Sequence, residues 1–430
     1  MKQPFRRSVD EHRGVLKALL SELPSRLGSQ ELVLGEARGR ILAADLPAPR
    51  NLPAFDNSQM DGFAVRRADL LDGQELRVGA VIAAGDAAEA LPAGTAAPIM
   101  TGAMLPPGAD AVVPIERADP PDFPEALSQP GPPAGAWTVR LPADTPDGQF
   151  IRAAGSDIAR GAIALPAGTR LGPAQLGLAA ALGLDRLTVT GRPRVLVLAT
   201  GDEVRAPGSD LAPGQIHDAN TTLLLGLFAE AGAEVAAAGI STDAPEAFMA
   251  ELAPALGPPG APAADLVVTS GGISKGAFEV VRLALAGHGI EFGSVAMQPG
   301  GPQGAGMLRL PGAAPTPLLA FPGNPVSGVV SFELLARPVW EELFATPPRP
   351  RVATRLATDL AAPPAGKLQV RRAAVVLGDD GAPTATPVGG PGSHLVHALA
   401  RSNALLVLPA GSAAPRAGEM IDTLIYGAQI

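Results

Sequence analysis

Arg194-Val195-Leu196-Val197-Leu198-Ala199-Thr200-Gly201-Asp202-Glu203 is an apolar run that closes on a glycine loop carrying two acids. Such a run reads as a strand buried on both faces. The construction returns where Leu266–Thr269 enters Ser270-Gly271-Gly272-Ile273-Ser274, and again at Pro322-Gly323-Asn324-Pro325-Val326-Ser327. Between these loops the pattern predicts helix 222–231, strand 234–240, helix 245–256, helix 278–286 and strand 290–297. The expected class is therefore α/β, a three-layer domain whose right-handed crossovers give a parallel sheet with helices on both faces. Loops of this kind gather at the carboxyl ends of the strands, where ligands bind, and helix starts favour anions. Thr200, Gly201, Asp202, Ser270, Gly271, Gly272, Ser274, Pro322, Gly323, Asn324, Pro325 and Ser327 are accordingly candidate phosphate-binding residues. The acids of the first loop would repel a bare phosphate, so a hard cation, Mg2+, is expected with it.

Working outward, Ser8 and Glu11 form a capping-box pattern for an amphipathic helix reaching about Leu23. Short β-like runs at 76–83, 111–115 and 137–141, punctuated by Gly and Pro, predict a small β domain, with an exposed loop over 119–135. Pro173–Leu182 reads as helix, and runs at 352–360, 368–376 and 404–408 as strands of a last small β domain. At roughly 150 residues per domain, 430 residues predict several cores. The expected boundaries are 1–50 with 145–190, 51–144, 191–346 and 347–430.

Thirty-three basic against 42 acidic residues give a net charge of −9, which argues against nucleic acid or an anionic membrane as the main partner. The absence of cysteine excludes disulfides, thiolate metal sites and a thiol nucleophile. With no apolar stretch suited to a signal peptide or membrane span, a cytoplasmic protein is expected. The nucleotide triphosphatase loop, the dinucleotide fingerprint and the hydrolase serine elbow are all missing, and His394 with His397 lacks an acidic partner motif for zinc.

The segment Leu52-Pro53-Ala54-Phe55-Asp56-Asn57-Ser58-Gln59-Met60-Asp61-Gly62-Phe63-Ala64-Val65-Arg66 resembles the signature of the molybdopterin molybdenumtransferases, to which the gephyrin E domain also belongs. The likeness continues, in family order, through Ile99-Met100-Thr101-Gly102-Ala103, Gly155-Ser156-Asp157-Ile158, the 200–203 loop, Asp218-Ala219-Asn220, the 269–274 loop, Pro299-Gly300-Gly301-Pro302 and the 322–327 loop. This resemblance implies an elongated four-domain subunit and a homodimer whose active site lies between the α/β domain of one subunit and N-terminal segments of the other. It also implies the reaction: adenylylated molybdopterin is cleaved with release of AMP, in a step dependent on magnesium and molybdate, and molybdenum is placed on the dithiolene sulfurs.

Carried over residue by residue, the resemblance places Asp56, Asp61, Thr101, Asp157, Glu203, Asp218 and Glu279 in the catalytic cleft, Glu203 and Asp218 as magnesium ligands, and Arg372 and Ser393 on molybdate. Plainer readings stand beside these. Asp218 is also a natural helix cap, Asp56, Asp61 and Ser393 are ordinary turn residues, and Arg372 beside Arg371 is an ordinary strand face. Ser294, Gln298 and Gly301 stand where many members carry lysine, Ala277 where they carry an acid, Glu279 replaces a shorter Asp, and Phe63 lacks a common hydroxyl. A weaker molybdate subsite is expected unless Arg309, Lys275 or Arg372 compensates. The rival readings are a molybdopterin-binding scaffold without turnover and a molybdopterin adenylyltransferase, which resembles the α/β unit alone.

Overall fold

The computed structural model describes residues 4–123, 137–241, 244–273, 279–378 and 380–427. The chain forms two compact units, one of residues 1–30 with 190–430 and one of residues 31–189.

In the first unit the run that opens the α/β pattern is a strand, Arg194–Thr200, next to one edge of a seven-stranded sheet. Across that sheet the order is Phe5–Arg7, Ile290–Val295, Pro302–Leu308, Thr316–Phe321, Leu266–Ser270, Arg194–Thr200 and Glu234–Ser241. Val197 lies opposite Val268, and Val268 opposite Leu319, so the parallel strands end together and their loops share one edge. Pro302–Leu308, not foreseen from sequence, runs antiparallel to both its neighbours, so the sheet is mixed on that side. Alternation along the first strand sends Val195 and Val197 to one apolar layer and Leu196 and Leu198 to the other. Helices Asn220–Glu230 and Pro325–Ser331 cover one face and Pro245–Ala255 the other, as three layers require. Of the expected helix 278–286, Val280–Ala284 is helical, Leu285 and Ala286 form a turn, and residue 278 lies outside the described residues.

Ser8 caps the Val9–Leu20 helix in the expected box, its hydroxyl accepting from the Glu11 N–H at 3.2 Å. Residues 1–30, grouped by sequence with 145–190, cluster here with the sheet, because Phe5–Arg7 adds as a parallel edge strand beside Ile290–Val295. Gly293 permits that approach, since a Cβ there would stand 2.3 Å from the Phe5 carbonyl oxygen.

The expected strand 290–297 divides. Ile290–Val295 stays in the main sheet, whereas Met297–Gln298 pairs in parallel with Leu368 and Gln369 of the C-terminal part. There Arg351–Leu356, Leu368–Leu377, Pro383–Pro387, Ala404–Leu408 and Met420–Ile425 close into a small barrel, because Ala404–Leu408 pairs with both Leu368–Leu377 and Met420–Ile425.

The second unit holds a five-stranded sheet in the order Ala111–Pro114, Gly62–Val65, Thr95–Ile99, Glu75–Val78 and Thr138–Arg140, and the expected helix at Pro173–Ala181. Phe63 is buried edge-to-face against Phe123, centroids 5.6 Å apart, which accounts for a ring without a hydroxyl. The loop expected over 119–135 falls largely outside the described residues.

Candidate active site

At the carboxyl edge of the parallel strands the three glycine loops meet backbone to backbone. A Cβ on Gly271, whose φ is +100°, would lie 2.9 Å from the Thr200 carbonyl oxygen, and one on Gly323 would lie 3.2 Å from Gly271 Cα. Only glycine allows this contact. Gly271 N–H donates to the Phe321 carbonyl at 3.1 Å, and the Asn220 amide donates to the Gly323 carbonyl at 2.7 Å, so the second and third loops are bonded together and to the start of the Asn220–Glu230 helix.

They form one wall of a cleft of about 930 Å³. The barrel adds to the lining through Lys367 and residues 391–394, as do Gln298 and Pro299-Gly300-Gly301. Of the phosphate-binding candidates, Thr200, Gly201, Ser270, Gly271, Gly272, Pro322, Gly323, Asn324, Pro325 and Ser327 line it. Asp202 is exposed nearby without lining it, and Ser274 lies outside the described residues, as do Lys275 and Ala277.

Thr200 Oγ1, Asn220 Oδ1, Thr221 Oγ1 and Ser270 Oγ are buried with no hydrogen-bond partner among the described residues. A buried polar atom left unmatched costs roughly 1–3 kcal/mol, and three of these residues, Thr200, Asn220 and Ser270, line the cleft, which marks it as shaped for a polar ligand.

Glu203, Asp218 and Glu279 bring carboxylates to the same cleft. Asp218 is also a cap: its Oδ1 accepts the N–H groups of Asn220 at 2.9 Å and Thr221 at 3.1 Å. Both bonds fall on one oxygen, which leaves Oδ2 out of the cap. Among the described residues no three His, Asp or Glu groups form a ready-made metal cage. That suits magnesium, which commonly takes one or two carboxylates and completes its shell from water and substrate phosphates.

Lys367, one of four lysines in the chain, is the one lysine or arginine on the wall among the described residues, and sequence reasoning passed over it. Its scarcity and its place just before a strand were the available signal. Ser393 lines the cleft, and its carbonyl accepts the Val326 N–H at 3.1 Å. Arg372 stands behind that wall: Nη1 donates to the Gly392 carbonyl at 3.0 Å and Nη2 to that of Gly390, so it shapes the loop that carries Ser393. Burial, then the Arg371 charge, lowers the pKa of Arg372 from the usual arginine value. Gln298 faces the cleft with its Oε1 accepting from Gln369 at 3.1 Å, whereas Ser294 is exposed on its strand opposite Arg6 and outside the lining. Arg309, one of the three residues that could compensate, lines a separate pocket with Leu19 and Leu23 and not this cleft.

In the second unit Asp61 Oδ1 accepts both the N–H and the hydroxyl of Thr101, at 2.6 and 2.8 Å, and these two bonds, the backbone one first, hold its carboxyl below the usual range. Asp56 Oδ1 accepts the Ala154 N–H at 2.7 Å, and the Asp157 N–H donates to the Leu52 carbonyl at 3.0 Å. The structure thus gathers Asp56, Asp61, Thr101 and Asp157 on exposed loops around residues 52–61.

Residues 7–183 match the MoeA N-terminal region (domain I and II), 196–342 the probable molybdopterin binding domain, and 353–426 the MoeA C-terminal region (domain IV). The chain is 40% identical over 435 residues to molybdopterin molybdenumtransferase 2 of Mycobacterium tuberculosis, covering 97% of this chain and 98% of that one. The chain belongs to the molybdopterin molybdenumtransferase family. A second family member, the molybdopterin molybdenumtransferase of Haemophilus influenzae, is 33% identical over 407 residues, 94% of this chain and 95% of its own. The crystal structure of a molybdopterin biosynthesis MoeA protein from Pyrococcus horikoshii, 26% identical, matches with a TM-score of 0.78 over 99% of this chain and 100% of that one. Likeness over the whole length weighs against an adenylyltransferase, which would resemble the α/β part alone. No described helix is long and apolar enough to cross a membrane.

Proposed function

We propose that this chain, as a cytoplasmic homodimer, inserts molybdenum from molybdate into adenylylated molybdopterin and releases AMP. The observation that carries the reading is the set of unmatched polar atoms of Thr200, Asn220 and Ser270 in a cleft that acids and Lys367 also line. The loops give the phosphoanhydride a backbone-lined seat from which water is partly excluded. Asn220 and Ser270 hold the groups that fix its orientation. Glu203 and Asp218, which line the same cleft as Glu279, would hold magnesium, which when bound offsets charge on the phosphates. Lys367, Ser393 and Gln298 supply donors for the molybdate dianion, in keeping with oxygen donors for a hard oxyanion. Asp61, Thr101, Asp56 and Asp157 belong to the same reaction in this reading, as the positions that match the family signature.

The test is AMP release by purified protein supplied with adenylylated molybdopterin, magnesium and molybdate. Molybdate-dependent AMP is expected, and binding of the substrate with no AMP under any molybdate concentration would favour the scaffold. Light scattering is expected to give twice the 43.3 kDa chain mass.

A further inference from the structure

Between the last helix of the α/β part, Arg337–Phe344, and the first barrel strand, Arg351–Leu356, runs a short link that is held by charge. Arg349 Nη1 and Nη2 donate to the two oxygens of Glu230 at 2.6 and 3.1 Å, and its Nη2 and Nε to those of Glu333 at 2.9 and 3.2 Å. Its backbone N–H donates to Glu341 at 2.9 Å, Glu341 accepts Arg337 Nε at 2.8 Å, and Arg337 Nη2 donates to the Pro347 carbonyl at 3.1 Å. Exposed ion pairs hold little, but here the Glu333 side chain is 0% and the Arg349 side chain 11% exposed. Glu333 sits where the long helix widens into a π turn, Phe332–Ala336, and burial raises its pKa against the pull of Arg349.

Both carboxylates that grip the guanidinium belong to helices of the α/β part, so the chain is pinned two residues before the barrel begins. The barrel returns to the α/β part at the cleft itself, through Gln298 beside Gln369 and through the Val326–Ser393 bond. On the barrel side Arg372 carries the 390–392 loop, its guanidinium donating to the Gly392 and Gly390 carbonyls. We propose that Arg349 is a positioning residue, a latch that sets the Lys367–Ser393 wall against the glycine loops and so fixes the width of the substrate cleft. The activity arm of its test rests on the proposed molybdenum-inserting function; the latch itself does not.

R349M leaves the buried Glu333 unpaired and endangers folding, so the informative variant is R349M combined with E333Q, which removes both charges. Hydrogen exchange of residues 388–396 is expected to quicken about tenfold while the Arg194–Thr200 strand keeps its protection. For AMP release, KM for adenylylated molybdopterin should rise about tenfold with kcat within about threefold. Unchanged exchange over 388–396, or an equal loss of protection in the Arg194–Thr200 strand, overturns the latch. The exchange arm needs no substrate, so it separates failure of the latch from failure of the proposed function.

Discussion

The side-chain amide of Asn220 donates to the carbonyl of Gly323 at 2.7 Å, joining the start of one helix to the loop that opens another. Since Gly323 also abuts Gly271, this amide braces the loop against which the second glycine loop packs. Asn220→Ala removes a bond of about 1 kcal/mol and should raise KM for adenylylated molybdopterin about fivefold, with little change in melting temperature. A parent-like KM would show that the loops hold their places without it.

Asp218 serves two roles that substitutions can part. Asp218→Ala loses the cap and should cost about 1 kcal/mol in denaturant unfolding, whereas Asp218→Asn keeps an accepting oxygen and should cost a few tenths, about 0.3 kcal/mol. If the carboxylate holds magnesium, Asp218→Asn and Glu203→Gln both lose most AMP release and shift the magnesium requirement upward. Parent-like magnesium titrations in both variants would reduce Asp218 to a cap.

Gly271→Ala places a methyl group 2.9 Å from the Thr200 carbonyl oxygen at a φ of +100°. A loss of roughly 1–3 kcal/mol and of substrate binding is expected. Gly226→Ala is its control. Lying in the Asn220–Glu230 helix with nothing within 4 Å of its added Cβ, Gly226→Ala should gain about 0.5–1 kcal/mol and leave turnover alone. Equal effects at the two sites in thermal melts would refute the close-contact account.

Gln298 and Ser294 answer the missing-lysine question differently. Gln298→Lys puts a charge on the cleft wall and should lower the molybdate concentration for half-maximal AMP release about fivefold at low salt, an advantage that added salt erodes. Ser294→Lys, on an exposed strand position outside the lining, should leave it unchanged. Identical responses would misplace the anion. Arg372→Ala should raise the molybdate requirement too, through the loop it holds.

His12 gives the protein a pH dependence. Its ring is 1% exposed and stacked on Phe5 at 5.4 Å, and burial, then Arg7, pushes its pKa down to about 4 from 6.5. A depressed folded pKa means that the unfolded chain takes up the proton first as pH falls. Its contribution is therefore complete above about pH 6.5 and is lost toward pH 4, by at most roughly 3 kcal/mol. Denaturant unfolding of His12→Phe, compared with the parent from pH 7.5 to 4.5, should remove that part of the slope.

What the sequence disclosed was chiefly what local chemistry settles. The Ser8–Glu11 box needs only four adjacent residues, and Arg194–Thr200 and Leu266–Ser270 are continuous apolar runs. Pro302–Leu308 escaped notice because Gly304 and Gly306 give it no β signal; it is a strand because two others flank it. Pro383–Pro387, with proline at both ends, was likewise not foreseen and pairs only inside the barrel. In the cleft, glycines announced the loops, while Lys367 and the loop-shaping work of Arg372 depend on how Leu368–Leu377 meets residues far away in the chain. The division after Val295, which parts Ser294 from Gln298, has no local marker.

The pairing of Arg6 with Ser294 has a consequence for how the protein is made. Closing so long a loop carries an entropic cost, and the partner strand leaves the ribosome only after most of the chain. Until then Phe5–Arg7 is an unclaimed strand, and until Phe5–Arg7 docks, Ile290–Val295 is an open sheet edge able to recruit a neighbouring nascent chain. A bulky fusion placed against Phe5 would prolong that interval, and the outcome would be aggregation during expression from a protein whose active cleft is untouched.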